Sequence, residues 1–164
     1  MNNEKSLNRE DSIKKLKDVA QREVAFFCTF TAPYEQVSRP MTTQAVQDDG
    51  SLIFFVKDDQ DIVDQIEENS QVNLLYRDGS TYMRVHGEAR TFRNQSLIDE
   101  HYTPLANAWF DGKDDPSLLI IEVTPDDAHY WETANGKVVT LYKLAQAAIT
   151  GDSVDIGVSR DLEL

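Results

Sequence analysis

The stretch Ser38-Arg39-Pro40-Met41-Thr42-Thr43-Gln44 is the chemically unusual part of this chain of 164 residues. An arginine beside a proline, inside a run that otherwise reads as strand, is odd for a central ladder position, because proline donates no hydrogen bond there. Other familiar machinery is missing. The sequence has no phosphate-cradling glycine loop, no Gly-x-Ser-x-Gly elbow and no paired cysteines. His86, His101 and His129 lack metal-ligand spacing and are read as structural or solvent-facing. Cys28 falls in an alternating strand and reads as a buried core thiol. Asp114-Asp115 lacks the regular oxygen spacing of a calcium loop, so a solvated turn is expected there. Ordinary hydrolytic chemistry is unsupported, and no catalytic residue is assigned.

The elements that must position the Arg39 stretch follow from periodicity and turn chemistry. Ile13, Leu16, Val19 and Ala20 recur at helical spacing among lysines and predict an amphipathic helix. Phe26–Thr31 and roughly Val37–Val46 read as strands. Asp48-Asp49-Gly50 closes a hairpin onto Leu52–Val56, since Asp-Gly supplies the positive φ that tight turns require. A short helix is expected within 58–69, with Ile62, Val63 and Ile66 on one face. Val72–Tyr76, the turn Asp78-Gly79 and Tyr82–Phe92 make a second hairpin. Helical material broken by Pro104 spans 94–110, and two further strands, Leu118–Val123 and Ala128–Thr133, flank Pro125. Asn135-Gly136 is read as a turn, and Leu141, Leu144, Ala145, Ala148 and Ile149 as a last helix ending at Gly151. Residues 1–10 and 152–164 are expected to be flexible, leaving one domain over 11–151. Strands in hairpins with helices inserted between them favour an antiparallel barrel over a βαβ fold.

Bulk properties narrow the partners. Sixteen basic and twenty-nine acidic residues leave a net charge of −13, which argues against nucleic acid and anionic membranes. The start is polar, no apolar run approaches the ~20 residues that cross a bilayer, and one cysteine fits a reducing compartment. A cytoplasmic location is the expectation.

Ser38-Arg39-Pro40-Met41, followed after a hairpin by Leu52-Ile53-Phe54-Phe55-Val56 and a short helix, resembles the pyridoxamine 5'-phosphate oxidase-like superfamily. Ala108-Trp109-Phe110-Asp111-Gly112-Lys113-Asp114-Asp115-Pro116, Thr124-Pro125, Tyr130-Trp131 and Gly136-Lys137 resemble its general stress protein branch. The resemblance runs from Ile13 to Gly151. It implies a mostly β fold, an FMN-binding split barrel with Greek-key-like antiparallel strands and flanking helices, assembled as a homodimer. It implies a flavin lying along Arg39, Pro40, Met41 and Thr42. Phe55 and Val56 on the paired strand, and Tyr82, also contribute to that site. Trp131 corresponds to a tryptophan supplied by the second subunit. Arg39 is the natural phosphate ligand, because its guanidinium fork matches phosphate oxygens. Phe26, Phe54, Phe55, Trp109, Phe110 and Trp131 are many aromatics for a small barrel, and the resemblance implies that several are buried between subunits.

The chain departs from that pattern at the phosphate. Where FMN-binding relatives carry Thr, Ser and Lys, it carries Val56, Gln60 and Ile62. Each missing contact is worth ~1–3 kcal/mol, so weak FMN binding is expected. Lys57 is expected on the other side of its strand if side chains alternate. The reading is an FMN-dependent oxidoreductase of the general stress protein type, with a non-catalytic or cofactor-free binding module as the alternative. The substrate is not readable from these residues.

Overall fold

A computed structural model describes residues 7–33, 35–133 and 157–164. The strands are β1 (Val24–Thr31), β2 (Glu35–Val46), β3 (Leu52–Lys57), β4 (Gln71–Asp78), β5 (Thr81–Phe92), β6 (Leu118–Thr133) and β7 (Gly157–Leu162). The helices are α1 (Arg9–Ala20), α2 (Asp61–Glu68) and α3 (Gln95–His101), with a short 3-10 helix at Pro104–Ala108. Strand order is β3-β2-β1-β4-β5-β6-β7, and β3 also pairs with β6, so six antiparallel strands close a ring that β7 extends. This is the split barrel with flanking helices that the sequence predicts.

Local chemistry explains the elements. Asn8 caps α1 by accepting from the Asp11 N–H at 2.9 Å, and Leu16, Val19 and Ala20 bury that helix against the main core. Gly50 and Gly79 take the positive φ of the two predicted hairpin turns. Phe27 and Phe54 meet edge to face at 5.1 Å inside the ring, with Ile62 and Ile66 of α2 above them. Full burial of each such side chain contributes about 1.5–3 kcal/mol. β3 is buried on both faces, because α3 and the 3-10 helix cover its outward Ile53 and Phe55 in a second cluster with Ile98, Ala106 and Phe110.

The ring is incomplete on one side. β2 and β3 pair only from Thr43–Phe54 to Val46–Leu52, with a register shift between Thr43 and Ala45. Before Thr43, β2 stays with β1; beyond Phe54, β3 stays with β6. The barrel wall therefore parts between Arg39–Thr42 and Phe55–Lys57.

Several expectations are corrected. Leu118–Val123 and Ala128–Thr133 are one strand, β6, since Asp126 is accommodated as an extra residue where the β5 register shifts between His86 and Gly87. Gly87 is required there: a Cβ would stand 2.3 Å from the Thr124 carbonyl oxygen. The expected flexible tail contains β7, which pairs with the outer half of β6, and Leu7 bridges to Leu162. Asp115 is not solvated but buried, where it ties its own loop together. Phe54, Phe55 and Phe110 are buried within the chain, leaving Phe26, Trp109 and Trp131 exposed. The predicted turn at 135–136 and last helix at 141–149 lie outside the described residues. No helix among the described residues is long and apolar enough to cross a membrane.

Candidate functional site

The parting of β2 and β3 opens a cavity of about 580 Å³, within the range of small-molecule sites. Arg39, Pro40, Met41 and Thr42 form one wall, and Phe55 and Val56 the other. Residues from both faces of each strand reach it, because a gap in a sheet exposes strand edges rather than one pleated face. That geometry also corrects the expectation for Lys57, which lines the cavity despite the alternation. Gln60 and Ile62 close the α2 end, and Trp109 and Phe110 cover the front. Phe55 is held by Tyr102, which stacks on it at 6.1 Å, and by Phe110, which meets it edge-on at 6.3 Å.

Six of the eight predicted flavin contacts thus converge. Tyr82 and Trp131 do not join them within one chain. They pair across β5 and β6 on the outward face of the sheet, half exposed, with Trp131 tilted against His129 at 4.4 Å. The register puts Val24, Phe26 and Leu75 on that same face.

Charge distinguishes the cavity. Among the described residues Arg22, Arg39 and Lys57 line it and no carboxylate does, in a chain of net charge −13. Arg22 occupies a left-handed turn (φ 65°) after α1 and donates to the His101 carbonyl at 3.2 Å. Nothing in the local sequence marks it, since its place is set by partners distant in sequence, the carbonyls of Thr43 and His101. Arg39 faces inward opposite Phe27. Its Nη2 donates to Gln65 Oε1 at 2.8 Å, while its Nε is buried with no partner among the described residues. Such an unmet donor costs about 1–3 kcal/mol until an acceptor arrives.

The front loop is held by Asp115. Its carboxylate accepts from the Ser117 hydroxyl at 2.7 Å and from the backbone N–H groups of Ser117 and Asp111, each at 2.9 Å. The Ser117 hydroxyl bond first, then the two backbone bonds, hold its carboxyl down at about 2, with a smaller contribution from Lys57. Arg93 adds bonds to the Asp115 and Leu118 carbonyls. The loop carrying Trp109 and Phe110 is thereby fixed against β6.

A ring of antiparallel strands with a ligand-sized slot where two of them part is a split-barrel protein. The family described as pyridoxamine 5'-phosphate oxidase like matches residues 11–155, and the chain belongs to it. General stress protein 26 of Bacillus subtilis is 32% identical over 83 residues, a match spanning 48% of this chain and 59% of that protein. The fold is shared with a candidate general stress protein 26 from Jannaschia sp. CCS1: TM-score 0.74, 22% identity, 94% of this chain and 96% of that one. It is shared too with a general stress FMN/FAD binding protein from Xanthomonas citri, at TM-score 0.62 and 22% identity over 76% and 87% of the chains.

Proposed function

We propose that the chain binds FMN in the gap between β2 and β3, as a homodimer, and serves as an oxidoreductase of the general stress protein type. The observation that carries this reading is the trio Arg22, Arg39 and Lys57 around an apolar slot that no carboxylate lines among the described residues. A planar, largely apolar ring ending in a dianionic phosphate suits such a slot. The family and the fold neighbour named as FMN/FAD binding support the choice.

FMN supplies hydride chemistry through its own ring. The chain's residues bind, orient and shield. Met41, Phe55 and Phe110 form the apolar walls, and strand edges left unpaired by the parting offer backbone donors and acceptors. Arg39 takes the phosphate through the part of its guanidinium that Gln65 does not hold, and Lys57 adds a second positive charge. Val56 and Ile62 contribute contact only, so affinity is modest.

The homodimer rests on the sheet face bearing Val24, Phe26, Leu75, Tyr82 and Trp131, each 40–58% exposed. The family resemblance implies that a second copy covering that face supplies its Trp131 to the slot. Thermal unfolding with FMN or riboflavin, together with sedimentation, tests the reading. The expected result is a dimer whose midpoint rises only at high FMN and rises less with riboflavin. The departures at Val56, Gln60 and Ile62 favour a second reading, a binding module without flavin. An unmoved midpoint at saturating FMN, with no hydride transfer from reduced nicotinamide, establishes that second reading.

A further inference from the structure

We propose that Gln65 on α2 is a positioning residue that aims Arg39 into the slot while leaving its charge free for an anion. Gln65 Oε1 accepts two hydrogen bonds, from Arg39 Nη2 at 2.8 Å and from the Thr29 hydroxyl at 2.7 Å. Arg39 can only donate, so the oxygen end of the Gln65 amide must face it. Thr29 is fully buried on β1 and fixes that amide from below. Among the described residues Arg39 has no other side-chain hydrogen bond and no carboxylate pairs with it.

The choice of an amide is informative in its setting. α2 reads Asp61-Ile62-Val63-Asp64-Gln65-Ile66-Glu67-Glu68, so four of its eight residues are acids. The position that touches Arg39 is the neutral one. A carboxylate there would make the same two hydrogen bonds, but it would neutralise the guanidinium and repel an incoming phosphate. Gln65 thus supplies direction without cancelling charge. This assignment rests on Arg39 as the phosphate ligand.

Calorimetric titration of FMN and of riboflavin into wild type, Gln65→Glu and Gln65→Met tests it. Wild type is expected to prefer FMN. Gln65→Glu should weaken FMN about tenfold or more and leave riboflavin unchanged, abolishing the preference. Gln65→Met, which removes the acceptor without adding charge, should lose part of it and decides the matter if Gln65→Glu fails to fold. Relaxation of the Arg39 Nε–H resonance, measured without ligand, should show a rigid side chain in wild type and a mobile one in Gln65→Met. An undiminished preference for FMN in the variants overturns the role of Gln65 alone. A wild type that binds FMN no better than riboflavin overturns the phosphate assignment of Arg39, and the role of Gln65 with it.

Discussion

Ile62→Lys installs the lysine that the family resemblance implies at the phosphate, and the structure sets its cost. Ile62 is 1% exposed, packed in the main core beneath α2 while its edge lines the cavity. Removing that burial loses about 1.5–3 kcal/mol. The lysine stem recovers part of it by lying along the same apolar surface. Its ammonium must then emerge into a slot already holding Arg39 and Lys57, where like charges oppose it. A net loss of about 2 kcal/mol in the ligand-free protein follows, within the 5–15 kcal/mol stability of ordinary domains. Phosphate reverses the balance, because a charge-assisted contact contributes about 1.5–3 kcal/mol. Urea denaturation with and without FMN reads both effects. The ligand-free midpoint should fall at unchanged slope, and a fixed FMN concentration should raise the variant's midpoint more than the wild type's. A variant as stable as wild type without ligand would refute the packing of Ile62. A destabilised variant with no larger FMN response would place the phosphate away from α2.

Three further outcomes test the framework around the slot. Gly87→Ala forces a Cβ to within 2.3 Å of the Thr124 oxygen and 2.9 Å of Pro125 Cα, both backbone, and should cost about 3 kcal/mol in urea unfolding. Tyr76→Phe leaves the buried Thr43 hydroxyl without its 2.7 Å partner at the end of the β2–β3 ladder, and should cost about 1–2 kcal/mol by the same assay. The Asp115 carboxyl titrates lower folded than unfolded, so its stabilisation is complete above pH 3.8 and drains away as pH falls toward about 2. Asp115→Asn should flatten that part of the stability–pH curve and loosen the Trp109 loop, read by acid titration of thermal midpoints and by indole fluorescence.

Legibility in the sequence followed the range of the interactions involved. The hairpin turns at Gly50 and Gly79 were readable because positive φ is a local demand that Asp-Gly meets. α1 was readable because one buried stripe suffices to mark it. β6 was split in the reading because Pro125 looks like a breaker, whereas the compensating register shift and Gly87 sit in a different strand. β7 has no hydrophobic alternation of note and is a strand only because β6 offers it an edge. In the site, β2 and β3 supplied the contacts that resemblance could place. Arg22 and Gln65 were silent, and Lys57 was placed on the far side of its strand, for a different reason. Their roles depend on where α1, α2 and α3 pack, and on the parting of two strands that no linear pattern announces.

Closure of the ring sets the order in which the chain can fold. Each hairpin pairs neighbours in sequence, but the β3–β6 seam joins Leu52 to Val123 and Phe55 to Ile120, about seventy residues further along. The loop entropy of that seam is spent before its contacts form, so it belongs late on the folding route, after the β4–β5 hairpin and the β5–β6 ladder. Until then β3 offers a bare edge of Leu52-Ile53-Phe54-Phe55-Val56, a low-charge, β-prone run of the kind that recruits other chains. The same strand that forms one wall of the slot is therefore the point at which slow closure exposes nascent protein to aggregation, and a helper that shields unpaired strands would act there first.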